Sequence, residues 1–318
     1  MKSTDKPALL EGLTPAEKFL FSGISLLIIS LGFQFLGAAL AAWFYGFEVR
    51  EMLSIGDYQD PRYIAAFKFM QIIGSIGTFI IPSLIFSYFF TGKMLALYSF
   101  NRISGVISVV LITLMMVSVI PFVNYIAEWN LSLKIPIESV DNLLRELETE
   151  AGHIMEAFTS TKTVSGLLVN LFMIGIIAAV GEELIFRGLI QRILTNWTRN
   201  AHIAILITAF IFSTFHFQFL SFLPRFVLGI ILGYLMFFGR SIWYPIIAHF
   251  VNNAMGVIYY FFYSRGSSDD VWEEIGTSTF FPVSAILSLL LFLLFFLAWY
   301  YKVRMANQSA QSWRTGKD

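Results

Sequence analysis

The stretch FLFSGISLLIISLGFQFLGAALAAWFY, Phe19 to Tyr45, decides the fold class. It runs for about 27 residues without a charged side chain, and a helix needs only roughly 20 apolar residues to cross a bilayer. A cleaved signal segment has an apolar run of only ~7 to 15 residues, so this one is expected to be a retained span. Seven more apolar stretches follow, near Phe69 to Phe90, Ile103 to Ile126, Val164 to Ile185, Ala201 to Phe219, Phe226 to Phe238, Ile242 to Phe262 and Phe281 to Tyr301. The expectation is an all-α polytopic membrane protein with about eight transmembrane helices and one amphipathic loop helix.

Composition agrees with that reading. Of 318 residues, 57% are hydrophobic and 13% charged, with 34 Phe and a mean hydropathy of +0.72. That is too apolar for one water-soluble core with an ordinary polar surface. A β-barrel would alternate in short segments instead of running unbroken. The 21 Lys and Arg balance 21 Asp and Glu, which removes any bulk electrostatic case for nucleic acid as a partner. Zero cysteines exclude a disulfide framework, a thiolate nucleophile and a Cys metal site. No Walker loop or dinucleotide fingerprint is present.

Distribution of charge orients the chain. Lys and Arg outnumber acids about two to one across the tails, Thr91 to Arg102, Glu182 to Asn200 and Gly239 to Ser241, and the other side is correspondingly acidic. Both termini are therefore expected in the cytoplasm. The start of the sequence shows no targeting extension, which favours a bacterial inner membrane.

The longest connection, Ala127 to Thr163, carries Ile137, Val140, Leu143, Leu144, Leu147, Ala151, Ile154, Met155 and Phe158 at helical spacing, with acids on the other faces. It is expected to lie along the membrane or to cap the bundle on the non-cytoplasmic side. Gly229 and Gly233 form a small-xxx-small pair suited to close helix packing.

Ionisable groups inside apolar helices are costly and mark function by default. Three clusters qualify: Glu182-Glu183-Leu184-Ile185-Phe186-Arg187, Phe212-Ser213-Thr214-Phe215-His216 and His249-Phe250-Val251-Asn252-Asn253. Glu183 and Arg187 are four apart, carboxylate first, and can pair on one helix face. Glu182 is turned away by about 100° and lacks that partner. Either both acids are hydrated at the membrane boundary beside Arg187 and Arg192, or Glu182 is a poised general base.

Geometry bears on the choice. With the turn at Asn196 to Ala201, Glu182 lies 14 residues before it and His216 15 residues after it. At ~1.5 Å per residue an antiparallel helix pair brings them to one height. His249 and Asn253 share a face of the next-but-one helix. Glu182, His216, His249 and Asn253 together could activate water and stabilise an oxyanion. They could equally hold a divalent metal such as Zn²⁺ through Glu182, His216 and His249, with bound water as nucleophile. No H-E-x-x-H, G-x-S-x-G or intramembrane Asp is present, which weighs against zincin, rhomboid-type serine and paired-aspartate proteases.

The clusters read E-E-x-x-x-R, F-x-x-x-H and H-x-x-x-N. In this order they resemble the CPBP family of intramembrane proteases, also called the CAAX protease and bacteriocin-processing or Abi family, related to the Ras-converting CAAX prenyl endopeptidases. Every motif position is filled, over roughly Val164 to Tyr260.

The resemblance implies an eight-helix endopeptidase acting on membrane-associated or lipidated peptide or protein substrates. Glu182 and His216 would act on water, and His249 and Asn253 on the oxyanion. Glu183, Arg187 and Phe212 would be supporting residues. It divides the chain into an N-terminal membrane region over 1–163, a catalytic core over 164–262, and a last span with polar tail over 263–318. A binding scaffold or bacteriocin-immunity factor using the same cavity, and a proton-coupled transporter, are the competing functions.

Overall fold

The computed structural model describes residues 8–54, 58–101, 103–263 and 281–315. The first polar residues, Arg102 and the acidic connection 264–280, which entered the charge count, lie outside the described residues. Among the described residues the chain is helical, with no strand. Its rods are α1 (Pro15–Tyr45), α2 (Pro61–Thr91) and α3 (Val106–Ser132), then α4 (Glu138–Thr159) and α5 (Val164–Thr198). They continue with α6 (Ala201–Thr214), α7 (Phe222–Gly239), α8 (Trp243–Tyr263) and α9 (Phe281–Thr315).

Local sequence sets the ends. Thr14 caps α1 through a capping box with Glu17, Pro15 occupies the first turn, and Gly46 closes the helix at φ 73°. Helix α3 is interrupted at Val119, just before Pro121, which has no N–H to give. Helix α4 is the amphipathic segment read from the sequence. Asp141 anchors its start by accepting from the Ile135 N–H at 3.0 Å and pairing with Arg145 at 2.7 Å. The Arg145 hydrogen bond first, and the Ile135 N–H second, hold the Asp141 carboxyl below its usual range.

Among the described residues six of these rods are long and apolar enough to cross a membrane, so the expected count of eight is not confirmed. The two shortfalls fall on the elements that carry the site. Helix α6 is only 14 residues long, a rise of about 21 Å against a hydrocarbon core of roughly 30 Å. It stops at Thr214, so His216 lies in the turn beyond it and not inside a span, and Phe217 follows at φ 55°. Helix α8 is 21 residues long, but His249, Asn252 and Asn253 dilute its apolar character. Conversely, α5 runs unbroken through Asn196 to Thr198, as the height matching requires.

Burial is inverted relative to a water-soluble protein. On α1, Leu20, Ile24, Leu27, Ile28, Leu31 and Phe35 face outward, while Gly37, Ala38, Ala41 and Ala42 face inward. Small residues inside let backbones approach, and the large ones meet lipid. The deepest apolar packing joins Ile112, Met115 and Met116 of α3 to Leu232 and Leu235 of α7, Tyr244 and Ala248 of α8, and Trp299 of α9.

The two ends of the bundle differ. One gathers Leu10, Phe89, Ser99, Asn101 and Arg240 through hydrogen bonds. The other is crossed by α4, which packs on α2, on the start of α5, on α8 and on the turn after His216.

The glycine pair of α7 meets α6. A Cβ on Gly229 would stand 3.0 Å from the Ala209 Cα, and one on Gly233 would stand 2.8 Å from Ile205. Gly229→Ala is therefore expected to lose about 1–3 kcal/mol, read as a lowered unfolding midpoint in detergent. Gly32→Ala, with open space around it, should be neutral or slightly stabilising.

Candidate active site

Helix α5 departs twice from regular α geometry, with π-helical turns over Leu171–Ile177 and Leu184–Ile190 bracketing the short α segment Ala178–Glu183. Such wide turns concentrate at functional sites. They also set side-chain directions around the two acids. Glu183 is fully buried, whereas Glu182 keeps 13% of its side chain exposed. Of the two acids only Glu182 keeps any accessible side-chain surface, and its Oε2 is itself buried.

Glu183 Oε1 accepts from Arg187 Nη1 at 2.7 Å and from His249 Nδ1 at 2.8 Å. The ion pair expected from i,i+4 spacing is thus present, with a third member from α8. Arg187 continues across to α7, donating from Nη2 to the Gly229 carbonyl at 3.2 Å, and one turn on Gln191 donates to the Gly233 carbonyl at 3.2 Å. Its guanidinium stacks 4.7 Å from the centre of the Phe212 ring. Arg192 takes no part and donates to Ser99 Oγ.

Phe212 connects the pieces. Both imidazoles stand T-shaped to its ring, His216 at 5.0 Å and His249 at 5.9 Å between centroids. His216 Nδ1 lies 2.8 Å from the Phe212 carbonyl, so that nitrogen carries the proton and donates. In His249 the Glu183 carboxylate imposes the same assignment on Nδ1. Both rings are left with Nε2 to act. That of His249 faces Glu182 Oε2 at 3.8 Å, and Glu182 Oε2 is buried without a hydrogen-bond partner. Glu182, His249 and Arg225 act on the His216 ring through space.

Asn253, one turn from His249, donates from Nδ2 to the Ile174 carbonyl at 2.9 Å and accepts from Asn252 at 3.2 Å. One of its two N–H groups remains. The structure thus brings Glu182, Glu183, Arg187, Phe212, His216 and His249 into one neighbourhood, and ties Asn253 to the first π-helical turn beside it.

Two imidazole nitrogens and a carboxylate oxygen suit a divalent cation in kind. In spacing they do not: among the described residues no three His, Asp or Glu side chains converge closely enough to hold a metal ion. A cavity of about 420 Å³ among Tyr45, Ile64, Lys68, Phe69, Thr163 and Val169 is separate from these residues.

Residues 164–255 match a family model described as type II CAAX prenyl endopeptidase Rce1-like. That model is of the CPBP family. The matched segment contains all seven motif residues, from Glu182 to Asn253. No curated protein and no solved structure matches the chain.

The matched segment does not build its surroundings alone, and several neighbours escaped the sequence reading. Arg225 donates to the Gln218 and Ser221 carbonyls at 3.4 and 3.3 Å, and Gln218 Oε1 accepts from its other terminal nitrogen at 2.5 Å. Glu148 of α4 accepts from Ser221 and Gln218. Asn130 of α3 donates to the Phe219 carbonyl at 3.2 Å and accepts from Leu223 N–H at 2.7 Å. Arg225 had a sequence signal, a cation directly after Pro224 at the edge of an apolar run. Glu148 and Asn130 had none that local pattern could carry.

Removing the shared carboxylate would strand the buried Arg187 guanidinium. Glu183→Ala is expected to cost about 3–5 kcal/mol, seen as a large drop in unfolding midpoint or loss of folded protein after solubilisation. Glu183→Gln, which keeps an acceptor oxygen, should lose less.

Proposed function

We propose that this protein is an intramembrane endopeptidase of the CAAX type, hydrolysing peptide bonds of membrane-associated or lipidated protein substrates. The family description points to that activity class. The observation that carries the reading is Glu182 Oε2, an acceptor with no partner, held 3.8 Å from His249 Nε2 beside a second imidazole. Glu182 Oε2 is a buried acceptor with no protein donor, and a water molecule is a donor that would complete it.

In the proposed reaction Glu182, assisted by His216, takes a proton from that water, and the oxygen attacks the scissile carbonyl carbon. Negative charge moves to the carbonyl oxygen. The remaining Asn253 N–H donates to it, and so does His249 from Nε2 when its ring is protonated, with Glu183 holding the Nδ1–H. The proton held by Glu182 passes to the leaving nitrogen as the C–N bond breaks, giving an acid and an amine. Arg187 and Phe212 keep Glu183 and the two rings in place and touch no reacting atom. A divalent cation such as Zn²⁺, the alternative chemistry, would need Glu182, His216 and His249 to draw closer together than they stand here.

The proposed location is a bacterial inner membrane with both tails in the cytoplasm, from the excess of basic residues on the tail side. That orientation puts the α4 end, with the His216 turn, at the opposite face. Binding partners are the peptide or protein substrate and the bilayer itself.

The test uses internally quenched reporter peptides carrying an apolar membrane anchor, one of them S-farnesylated near its C-terminus, with protein in proteoliposomes. Glu182→Gln is expected to lower kcat by at least roughly 10²–10⁴-fold without changing the unfolding midpoint downward. Absence of any Glu182-dependent cleavage across the panel would defeat the hydrolase reading. Loss of cleavage on chelation, restored by Zn²⁺, would replace the metal-free step with the alternative.

A further inference from the structure

His216 stands just past the end of α6, with its N–H donating to the Ser213 carbonyl at 3.3 Å and its Nδ1–H to the Phe212 carbonyl at 2.8 Å. Between Thr214 and Phe222 the chain is a short irregular link with one 3₁₀ turn, Phe219–Ser221, and Phe217 occupies the left-handed region that a phenylalanine seldom adopts. Past those bonds, and one from Phe217 N–H to the Thr214 carbonyl, the link to α7 is also gripped by side chains from elsewhere.

Three side chains supply this grip, two of them from outside the matched segment. Glu148 Oε1 accepts from the Ser221 hydroxyl and from Gln218 Nε2 at 3.4 Å. Arg225 closes the inner side through Gln218 Oε1 and the carbonyls of Gln218 and Ser221. Asn130 fixes the far end at Phe219 and Leu223. The Gln218 amide thus bridges an acid and a guanidinium that feel each other through space and form no direct ion pair among the described residues. Both side chains are half-buried, and Glu148 Oε2 is buried without a partner, so a charge here is costly to leave uncompensated. Moving the turn would break the bridge and separate the two charges, so electrostatics and hydrogen bonding hold the turn in one place.

We propose that Glu148 and Arg225, linked through Gln218, are positioning residues that fix the His216 turn, and that α4 thereby acts on the site without touching reacting atoms. The proposal rests on the hydrolase reading for its kinetic consequence, but not for its structural one.

The experiment pairs two readouts on purified full-length protein. Carbethoxylation of His216 by diethyl pyrocarbonate, followed by mass spectrometry with His202 as internal reference, reports the freedom of the turn. Cleavage of the quenched reporters reports its alignment.

Glu148→Ala is expected to raise relative His216 labelling about fivefold. It should also lower kcat roughly 10–100-fold with KM little changed. Glu148→Gln keeps the acceptor oxygen and should recover most of both. Unchanged labelling and kcat in Glu148→Ala would overturn the proposal, as would a Gln variant no better than Ala while equally folded.

Should Glu148→Ala fail to fold, Ser221→Ala deletes one clamp bond without stranding a charge. Raised His216 labelling then supports the clamp, and unchanged labelling overturns it. If the wild type cleaves no reporter, the hydrolase reading fails alone, and labelling still decides the clamp.

Discussion

A single buried oxygen organises the centre of this protein. Glu183 Oε1 binds Arg187 from its own helix and His249 from α8, and Arg187 goes on to the Gly229 carbonyl of α7. Three helices are therefore joined by one carboxylate in a place where none of its partners can fall back on water. In hydrocarbon the alternative to such bonds is an unsatisfied polar group costing several kcal/mol. The same oxygen also orients His249, because a carboxylate at Nδ1 leaves only Nε2 to face Glu182. Structural and chemical requirements coincide on that atom.

The small residues make the arrangement possible. Arg187 and Gln191 reach the Gly229 and Gly233 carbonyls in parallel. Both glycines sit directly against α6, where a Cβ would meet Ala209 and Ile205. Close approach of α6 and α7 brings Phe212 inward to meet Arg187, His216 and His249. A small-xxx-small pair that reads as packing alone therefore also sets the distance between the two histidine-bearing elements.

The sequence discloses those parts whose signals are local. The Glu183–Arg187 pair follows from spacing on one helix, and α4 follows from its periodicity. The approach of Glu182 to the His216 region follows from equal distances to a turn. Span number was less legible, because the polar groups that make α8 chemically interesting also weaken its apolar signal. The end of α6 was missed because Phe215, Phe217 and Phe219 continue an apolar pattern through a turn whose backbone is no longer helical. The grip of Glu148, Asn130 and Arg225 on that turn was invisible for a different reason. Those contacts join residues up to 93 positions apart, and no periodicity encodes them.

Charge balance ties the turn to the chemistry. Glu148, Glu182 and Glu183 stand against Arg187 and Arg225, so the group carries one negative charge beyond its guanidiniums when every acid is ionised and both imidazoles are neutral. In the proposed reaction the proton that leaves water neutralises that surplus as the nucleophile forms. The two cations are unequal in their service. Arg187 is committed to Glu183 at 2.7 Å, while Arg225 contacts no carboxylate among the described residues yet acts on both Glu148 and Glu182. Taking α4 away would leave Glu182 as the acid acting on Arg225. An acidic helix outside the matched segment thus bears on the electrostatics of the proposed base within it, and that dependence runs through the turn on which His216 stands.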